Sequence, residues 1–379
     1  MAMRLGLQRA LRVPARRVLA ARSFSSFEHA ADKFVVSIPE EHDGLNIEFN
    51  WSLADDDVTP YGDAFRNLRW SKLAEFAKDV KPAGKAFKVR EVDVDASFAE
   101  YESAFETVTA HLSQLDNLFA HDGALGSFKD NRTRTRVITD SPLVALFAQN
   151  LLVRVPTKDP HAARPIVVYV ATEGEFKGKE PQALLFLDKD EEEQLFVKVV
   201  ITGAADLGAV KDAIALAKKK LAEHTEAESL VLPGDVLIKN DKTALVFNSS
   251  AAGRAHNVNA GQLYAAHSSI WSPAGVTSLF GGAIVDAAAN QKKQAVATET
   301  GAAVHVPCNN IVDAPAAAIF VTSKGSGVKP ISVEEASSLI TSVDADVDAE
   351  KFVALLKQSA TKTFAVGSDA DIDAALAKL

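Results

Sequence analysis

Cysteine is almost missing from this sequence. Cys308 stands alone, so no intrachain disulfide can form, and a cysteine-built zinc site has nothing to build on. Long apolar runs are missing too, and none would span a bilayer as a helix. Acid is absent from the first 27 residues, which instead carry six arginines: Arg4, Arg9, Arg12, Arg16, Arg17 and Arg22. Of the chain's 41 basic residues those six lie outside the body, leaving 35 against 50 acidic ones. A body that acidic argues against DNA or RNA as the main partner, because phosphate contacts need clustered Lys and Arg. What remains is ordinary: 379 residues, 47% hydrophobic and 24% charged. That suffices for a large core and two domains. There is no internal repeat and no sustained heptad.

The arginine-rich start is amphipathic and ends in Ser23-Phe24-Ser25-Ser26. This composition predicts a mitochondrial transit peptide over 1–27, processed between Arg22 and Phe27, and hence a location in the matrix or on the matrix side of the inner membrane.

Apolar spacing predicts a helix over 97–119, with Phe98, Tyr101, Phe105, Val108, Leu112, Leu115 and Leu118 on one face. His121-Asp122-Gly123 reads as a turn, and Arg136–Thr139 as a strand. Ser141-Pro142 opens a helix through Asn150. Strands follow at Ile166–Val170, Ala183–Leu187 and Leu195–Thr202, then a helix over Leu207–Leu221 whose Lys218-Lys219-Lys220 run reads as a solvated end suited to the helix dipole. Val231–Lys239 and Thr243–Phe247 read as strands joined by an Asn240-Asp241 turn. A further strand is expected at Ala318–Thr322, with helices near Val333–Ile340 and Ala349–Gln358 and a short one after Ser368.

Directly after the apolar Thr243–Phe247 comes Asn248-Ser249-Ser250-Ala251-Ala252-Gly253-Arg254-Ala255. A small-residue loop between a buried strand and a helix is where a nucleotide-binding protein places its phosphate loop. Working loops need an opening glycine, a lysine for the outer phosphates and a hydroxyl for magnesium. Here those positions hold Asn248, Arg254 and Ala255, and only Gly253 survives.

Several segments, taken in order, resemble the ATP-dependent phosphoenolpyruvate carboxykinase family. They are Leu118–Gly123, Arg136–Asp140, Leu146–Asn150, Gly203–Ile214, Val231-Leu232-Pro233, Ala244–Ala260, Ile270–Val276 with Gly281-Gly282, Thr298-Glu299-Thr300 and Pro315–Ser332. The resemblance covers about 97–340. It implies an α/β fold: a mixed-sheet N-terminal domain over 28–229 and a P-loop-type nucleotide domain, shortened at its C-terminal end, over 230–379. The family converts oxaloacetate to phosphoenolpyruvate, using ATP and divalent metal (Mn or Mg), in a cleft between the two domains.

Set against that family, the chemistry has been stripped out. Ala251 replaces a glycine, Arg254 the lysine, and Ala255 and His256 the two threonines. Arg keeps the charge of Lys but not its compact ammonium. Asp212, Asp235 and His267 occupy the places of the family's metal-binding Lys, His and Asp, beside a retained Lys211 that is a candidate for a substrate anion. They read first as ordinary exposed polar residues; the alternative is a rewired site in which two carboxylates and an imidazole hold a divalent ion. Ala266 and His267 replace an acidic pair, Ala302 an arginine, and Arg90 is the nearest residue to a lost substrate arginine. Beyond the last matching segment only a tail from Asp344 to Leu379 follows, which implies an incomplete adenine pocket. Elsewhere, Arg132, Arg134 and Arg136 alternate as on a strand, to bind an anion or to pair with surface acids. His305 and Cys308 lie close together without an evident base, and Asp344, Asp346 and Asp348 read as a solvated acidic turn.

The expectation is therefore a mitochondrial carboxykinase-like protein without catalysis, serving as a structural or regulatory subunit alongside other mitochondrial proteins. Two alternatives stay open. One is a divergent carboxykinase or metal-dependent oxaloacetate decarboxylase in gluconeogenesis or anaplerosis. The other is an anion or metabolite sensor built on Arg254 and nearby backbone.

Overall fold

A computed structural model describes residues 53–379, apart from 81–84, 93–96, 156–164, 191–192, 226–227, 287–294, 297–302, 308–310 and 323–326. The arginine-rich segment, Thr298-Glu299-Thr300, Ala302 and Cys308 lie outside the described residues. The fold is α/β with mixed sheets. Among the described residues no helix is long and apolar enough to cross a membrane.

The first sheet has seven strands: β1 (Asp63–Arg66), β2 (Val89–Glu91), β3 (Asn117–Leu125), β4 (Thr133–Thr139), β5 (Ile166–Ala171), β6 (Gln182–Lys189) and β7 (Leu195–Thr202). Their order is β1-β3-β4-β5-β7-β6-β2, with antiparallel β3–β4 and β6–β7 pairs and parallel neighbours elsewhere. Successive residues of β5 point to opposite faces. Val167 and Tyr169 join one core with Tyr101, Phe105, Val108 and Leu112 of the helix Phe98–Ser113. Ile166 and Val168 join the other with Leu73, Phe147, Val210 and Ile214, from helices Trp70–Ala77, Pro142–Leu151 and Leu207–Thr225. In chain order these four helices are α1 (Trp70–Ala77), α2 (Phe98–Ser113), α3 (Pro142–Leu151) and α4 (Leu207–Thr225). Covering both faces explains why β5 is apolar throughout.

Four expectations change here. Helix α2 stops at Ser113 rather than running to 119; Leu118 shares its core from β3 instead, so the apolar spacing crosses two elements. His121-Asp122-Gly123 is no turn but the middle of β3, paired with Val137, Arg136 and Thr135. Gly123 is needed for a close approach, since a Cβ there would lie 2.6 Å from that of Leu152. The run Lys218–Lys220 is not a solvated end: Lys218 is fully buried with its Nζ on Thr133 Oγ1 at 2.7 Å, and Lys219 pairs with Asp344 at 2.7 Å. Asp344 is accordingly a tether rather than a solvated turn residue, and Asp348 caps the helix that follows by accepting from Lys351 N–H at 2.9 Å.

The second half opens with β8 (Leu230–Leu232), β9 (Gly234–Lys239) and β10 (Lys242–Phe247). The single strand expected over 231–239 is two strands in different sheets, divided at Pro233, which has no N–H to continue a ladder. The Asn240-Asp241 turn forms as read: both residues have positive φ, 50° and 59°, the geometry of a two-residue hairpin loop. Next come β11 (Leu263–Ala265), β12 (Ser269–Ser272), β13 (Gly275–Ser278), β14 (Gly282–Asp286), β15 (Ala295–Val296), β16 (Ala303–Pro307), β17 (Ile311–Val312), β18 (Ala317–Val321), β19 (Val328–Pro330) and β20 (Lys362–Val366). His305 falls on β16. The six-stranded sheet β11-β9-β10-β18-β20-β19 carries the second core. Helices α5 (Ala251–Asn259), α6 (Val333–Val343), α7 (Ala349–Gln358) and α8 (Ile372–Leu376) flank it. Phe247 and Phe320 face Ile340 and Phe352 of α6 and α7; Val246 and Ile319 face Val258 and Ile372 of α5 and α8. The halves are joined by backbone bonds, Gly126 N–H to Leu279 O and Gly281 N–H to Leu151 O, both 2.7 Å.

Candidate functional site

Strand β10 is buried between antiparallel β9 and parallel β18. At its end Asn248 takes a positive φ of 60° and turns the chain out of the sheet. Ser250 then caps α5, its Oγ accepting from Gly253 N–H at 3.1 Å. A serine cap followed by small residues is a sound local reason for a helix to begin there. The expected strand–loop–helix unit is present.

Its mouth holds a carboxylate of the same chain. Asp369, 119 residues beyond Ser250, accepts from Ser250 N–H through both oxygens at 3.3 and 3.2 Å, and from Ser249 Oγ at 3.0 Å. The Ser250 hydroxyl also donates to it. A Cβ on Gly253 would lie 2.3 Å from the Asp369 carboxyl carbon, so this glycine is what admits the tail. The exposed N–H groups and dipole of a helix N-terminus attract an anion, and here the anion is internal. Four residues on, Asp373 pairs with Lys239 and lies 3.6 Å from His256; the Lys239 hydrogen bond, with His256 adding to it, holds the Asp373 carboxyl below its ordinary range.

Arg254 does not point outward for phosphate. Its Nη1 donates to Ser249 O at 2.7 Å and approaches Asp235 Oδ2 at 3.4 Å. Asp235 lies on β9 and is buried, with its Oδ1 accepting from His267 N–H at 2.8 Å. Burial pushes its carboxyl up, opposed by Arg254, by the His267 N–H and by the Ser249 hydroxyl. His267 serves through its backbone and has a positive φ of 69°. Ala251 is exposed and Ala255 half-buried at the start of the helix, and neither can supply the hydroxyl a magnesium ion would use.

The expected Asp212–Asp235–His267 centre is not assembled. Among the described residues no three His, Cys, Asp or Glu side chains are grouped to hold a metal. The cause is visible in each member: Asp212 is on α4 with a side chain 77% exposed, Asp235 is engaged by Arg254, and His267 offers its N–H. Lys211 is buried and lies 3.8 Å from Asp212. Arg90, exposed, pairs with Glu100. Of the alternating arginines, Arg132 donates to Ser127 O at 2.9 Å and Arg136 is wholly buried among Asp122 and Asp56, an interior network rather than a surface one.

Sequence reasoning missed Asp369 and Asp373. The short helix after Ser368 was legible, but nothing in its composition says where it docks. The glycine Gly253 at the start of the helix was the one available hint of a close approach. No protein-family profile matches the chain, and no curated protein is significantly similar to it.

Proposed function

We propose that this chain is a carboxykinase-like mitochondrial protein that does not catalyse, with a P-loop-type unit over 230–379 set on a mixed-sheet unit over 28–229 behind a leader. Its role is that of a structural or regulatory subunit among other mitochondrial proteins. The observation that carries the reading is Asp369: a carboxylate of the chain's own tail is bound by Ser249 and Ser250 at the start of α5. Three further features support it. Arg254 is folded back on Ser249 and Asp235. The loop lacks the lysine and the magnesium hydroxyl on which phosphoryl transfer depends. Asp212, Asp235 and His267 are not gathered into a metal centre.

The test uses purified protein with oxaloacetate, ATP and manganese, followed by native electrophoresis of mitochondria carrying a tagged copy. The reading expects no phosphoenolpyruvate, no tight ATP binding, and migration of the tagged chain with a particle far larger than itself. Turnover at the rate of an ordinary carboxykinase would overturn it, and so would migration solely as a free chain.

A further inference from the structure

We infer that the two halves of this chain are one cooperative body without a hinge between them, because a single sheet walls both of their cores. The wall is the four-stranded sheet β17-β13-β12-β8, antiparallel throughout. Successive residues of a strand point to opposite faces, and here each face belongs to a different half. On β8, Val231 joins the core under α3 and α4, whereas Leu230 and Leu232 join the core under α6 and α7. On β12, Ile270 goes to the first and Trp271 to the second. Leu279 and Phe280, just beyond β13, return to the first. All of these side chains are buried. On the far side of the wall, Phe352 of α7 meets Trp271 edge-on, with 5.8 Å between ring centroids.

The seam around the wall is bonded as well as packed. Gly126 N–H and Ser127 N–H of the first half donate to Leu279 O and Ser278 O at 2.7 and 3.1 Å, and Gly281 N–H of the second half donates to Leu151 O at 2.7 Å. The hydroxyls of Ser127 and Thr277 share a hydrogen bond. At Gly281 the two backbones come too close for a side chain, since a Cβ there would lie 2.7 Å from Leu152 O. Away from the wall, Lys219 of α4 reaches Asp344, after α6, at 2.7 Å. A hinge needs residues that change φ and ψ while little packed surface is lost. Here, rotating one half would strip Val231, Ile270, Leu279 and Phe280 from their core and break these backbone bonds. Easy openings are found where buried apolar contacts are few, and this seam is built from such contacts. The consequence is functional. Closing around a ligand moves one packed half over the other; this chain has no such motion to couple to a ligand and offers a partner one fixed surface. The inference rests on packing alone and uses neither the loop at 248–256 nor the subunit role proposed above.

The test is native-state hydrogen exchange of the full chain in increasing urea, read at β5 in the first half and β18 in the second. These strands belong to separate sheets, and neither is part of the wall. One body predicts that both lose protection at a common urea midpoint. Ile270→Val and Trp271→Phe then sharpen the comparison, because these neighbours on β12 face opposite cores. Each should lower protection at β5 and at β18 by the same factor, within about threefold. Separate midpoints for β5 and β18 in the unaltered chain would overturn the inference, as would either substitution acting on its own side alone. If Trp271→Phe does not fold, Phe352→Leu, which trims the ring packed against Trp271, carries the same comparison. Motion is read from spin labels on Lys177→Cys and Lys329→Cys, exposed positions in the two halves, with Cys308→Ser removing the native thiol. A single narrow distance distribution is expected, and two resolved distances would overturn the inference. Carboxykinase turnover and complex migration play no part in these readouts, so the functional reading and this one fail separately.

Discussion

Arg136 and Arg254 both sit against buried carboxylates, and their surroundings differ in kind. Arg136, on β4, is wholly buried. Its Nε and Nη2 reach the two oxygens of Asp122 at 2.6 and 2.7 Å, while Nη1 meets Asp56 at 2.7 Å. Arg66 adds a further bond to Asp122 at 2.7 Å. Arg254 has a side chain 18% exposed and meets Asp235 at 3.4 Å through the same nitrogen that binds a carbonyl. The first is a paired fork, the geometry that makes Arg–carboxylate contacts strong and directional. The second is a shared single donor. One centre ties together the turn at Ala54–Asp56, β3 and β4, and the first sheet is built around it. The other lies in a loop whose polar groups have turned inward onto each other.

The largest expected effect tests the first centre. Arg136→Met leaves Asp122 and Asp56 without the fork in the interior; removing one member of a buried pair costs about 3–5 kcal/mol. Urea unfolding should show a loss of that size or no folded product. A cost comparable to that of Arg254→Met would erase the distinction just drawn.

Next is His121, beside Asp122 on β3. Burial pushes its imidazole down to about 4, with Arg66 adding to the fall and Asp122 opposing it. Its Nδ1 has no hydrogen-bond partner. The folded chain therefore resists a proton that the unfolded chain accepts near the ordinary histidine value. Stability should fall as pH drops from that value towards about 4, by about 3 kcal/mol over the interval. Denaturation across this range, with His121→Gln as the reference that lacks the titration, should show the difference shrinking to nothing above neutral pH. Parallel curves for the two proteins would assign the acid sensitivity elsewhere.

Strand and helix positions were legible wherever one period governed a segment: β5, β7, β10 and α3 fall within a residue or two of where apolar spacing puts them. The Asn240-Asp241 hairpin was legible because turn chemistry is local. Legibility failed where two elements shared one core, as at Leu118, and where a charged run was buried by a distant partner, as Lys219 is by Asp344. It failed again at the site. The small-residue loop Asn248–Ala255 between strand and helix was legible from the sequence. The contact of Asp369 with it was not, since Asp369 arrives through the parallel β18–β20 pairing, and a register between strands that far apart leaves no mark on either sequence. Asp212, Asp235 and His267 show the same limit: residue type announces what can ligate, but the fold decides which side chains meet, and among the described residues these three are not grouped.

The second centre should prove softer. Arg254→Met removes the partner of Asp235 but leaves that carboxylate the His267 N–H. The expected cost is about 1–3 kcal/mol, the range for a buried group left partly unsatisfied. Pairing it with Asp235→Leu should recover most of the loss, because replacing both members of a buried pair by apolar groups is often close to neutral. Urea unfolding of the two single variants and the double variant provides the cycle. A double variant no more stable than Arg254→Met alone would mean that Asp235 is held by other groups, and that the ion pair is incidental.

The smallest effect separates a helix cap from a contact with the tail. Ser250 and Ser332 both cap helices, each accepting from the backbone three residues on, at 3.1 and 3.2 Å. At Ser332 the reciprocal bond is local, its own N–H donating to the Glu335 carboxylate three residues on at 3.1 Å. At Ser250 the hydroxyl also donates to Asp369. Replacing a serine cap with alanine costs about 1 kcal/mol, and Ser332→Ala should show that alone. Ser250→Ala removes the same cap and one of the bonds to Asp369, so its cost should be larger by about 0.5–1.5 kcal/mol, the net value of a hydrogen bond. Hydrogen exchange should assign the excess to the tail, with faster opening around Asp369 in Ser250→Ala and no change there in Ser332→Ala. Equal costs, with the tail undisturbed in both, would mean that the hydroxyl serves only the helix, and that the grip on Asp369 comes from the Ser250 N–H and Ser249.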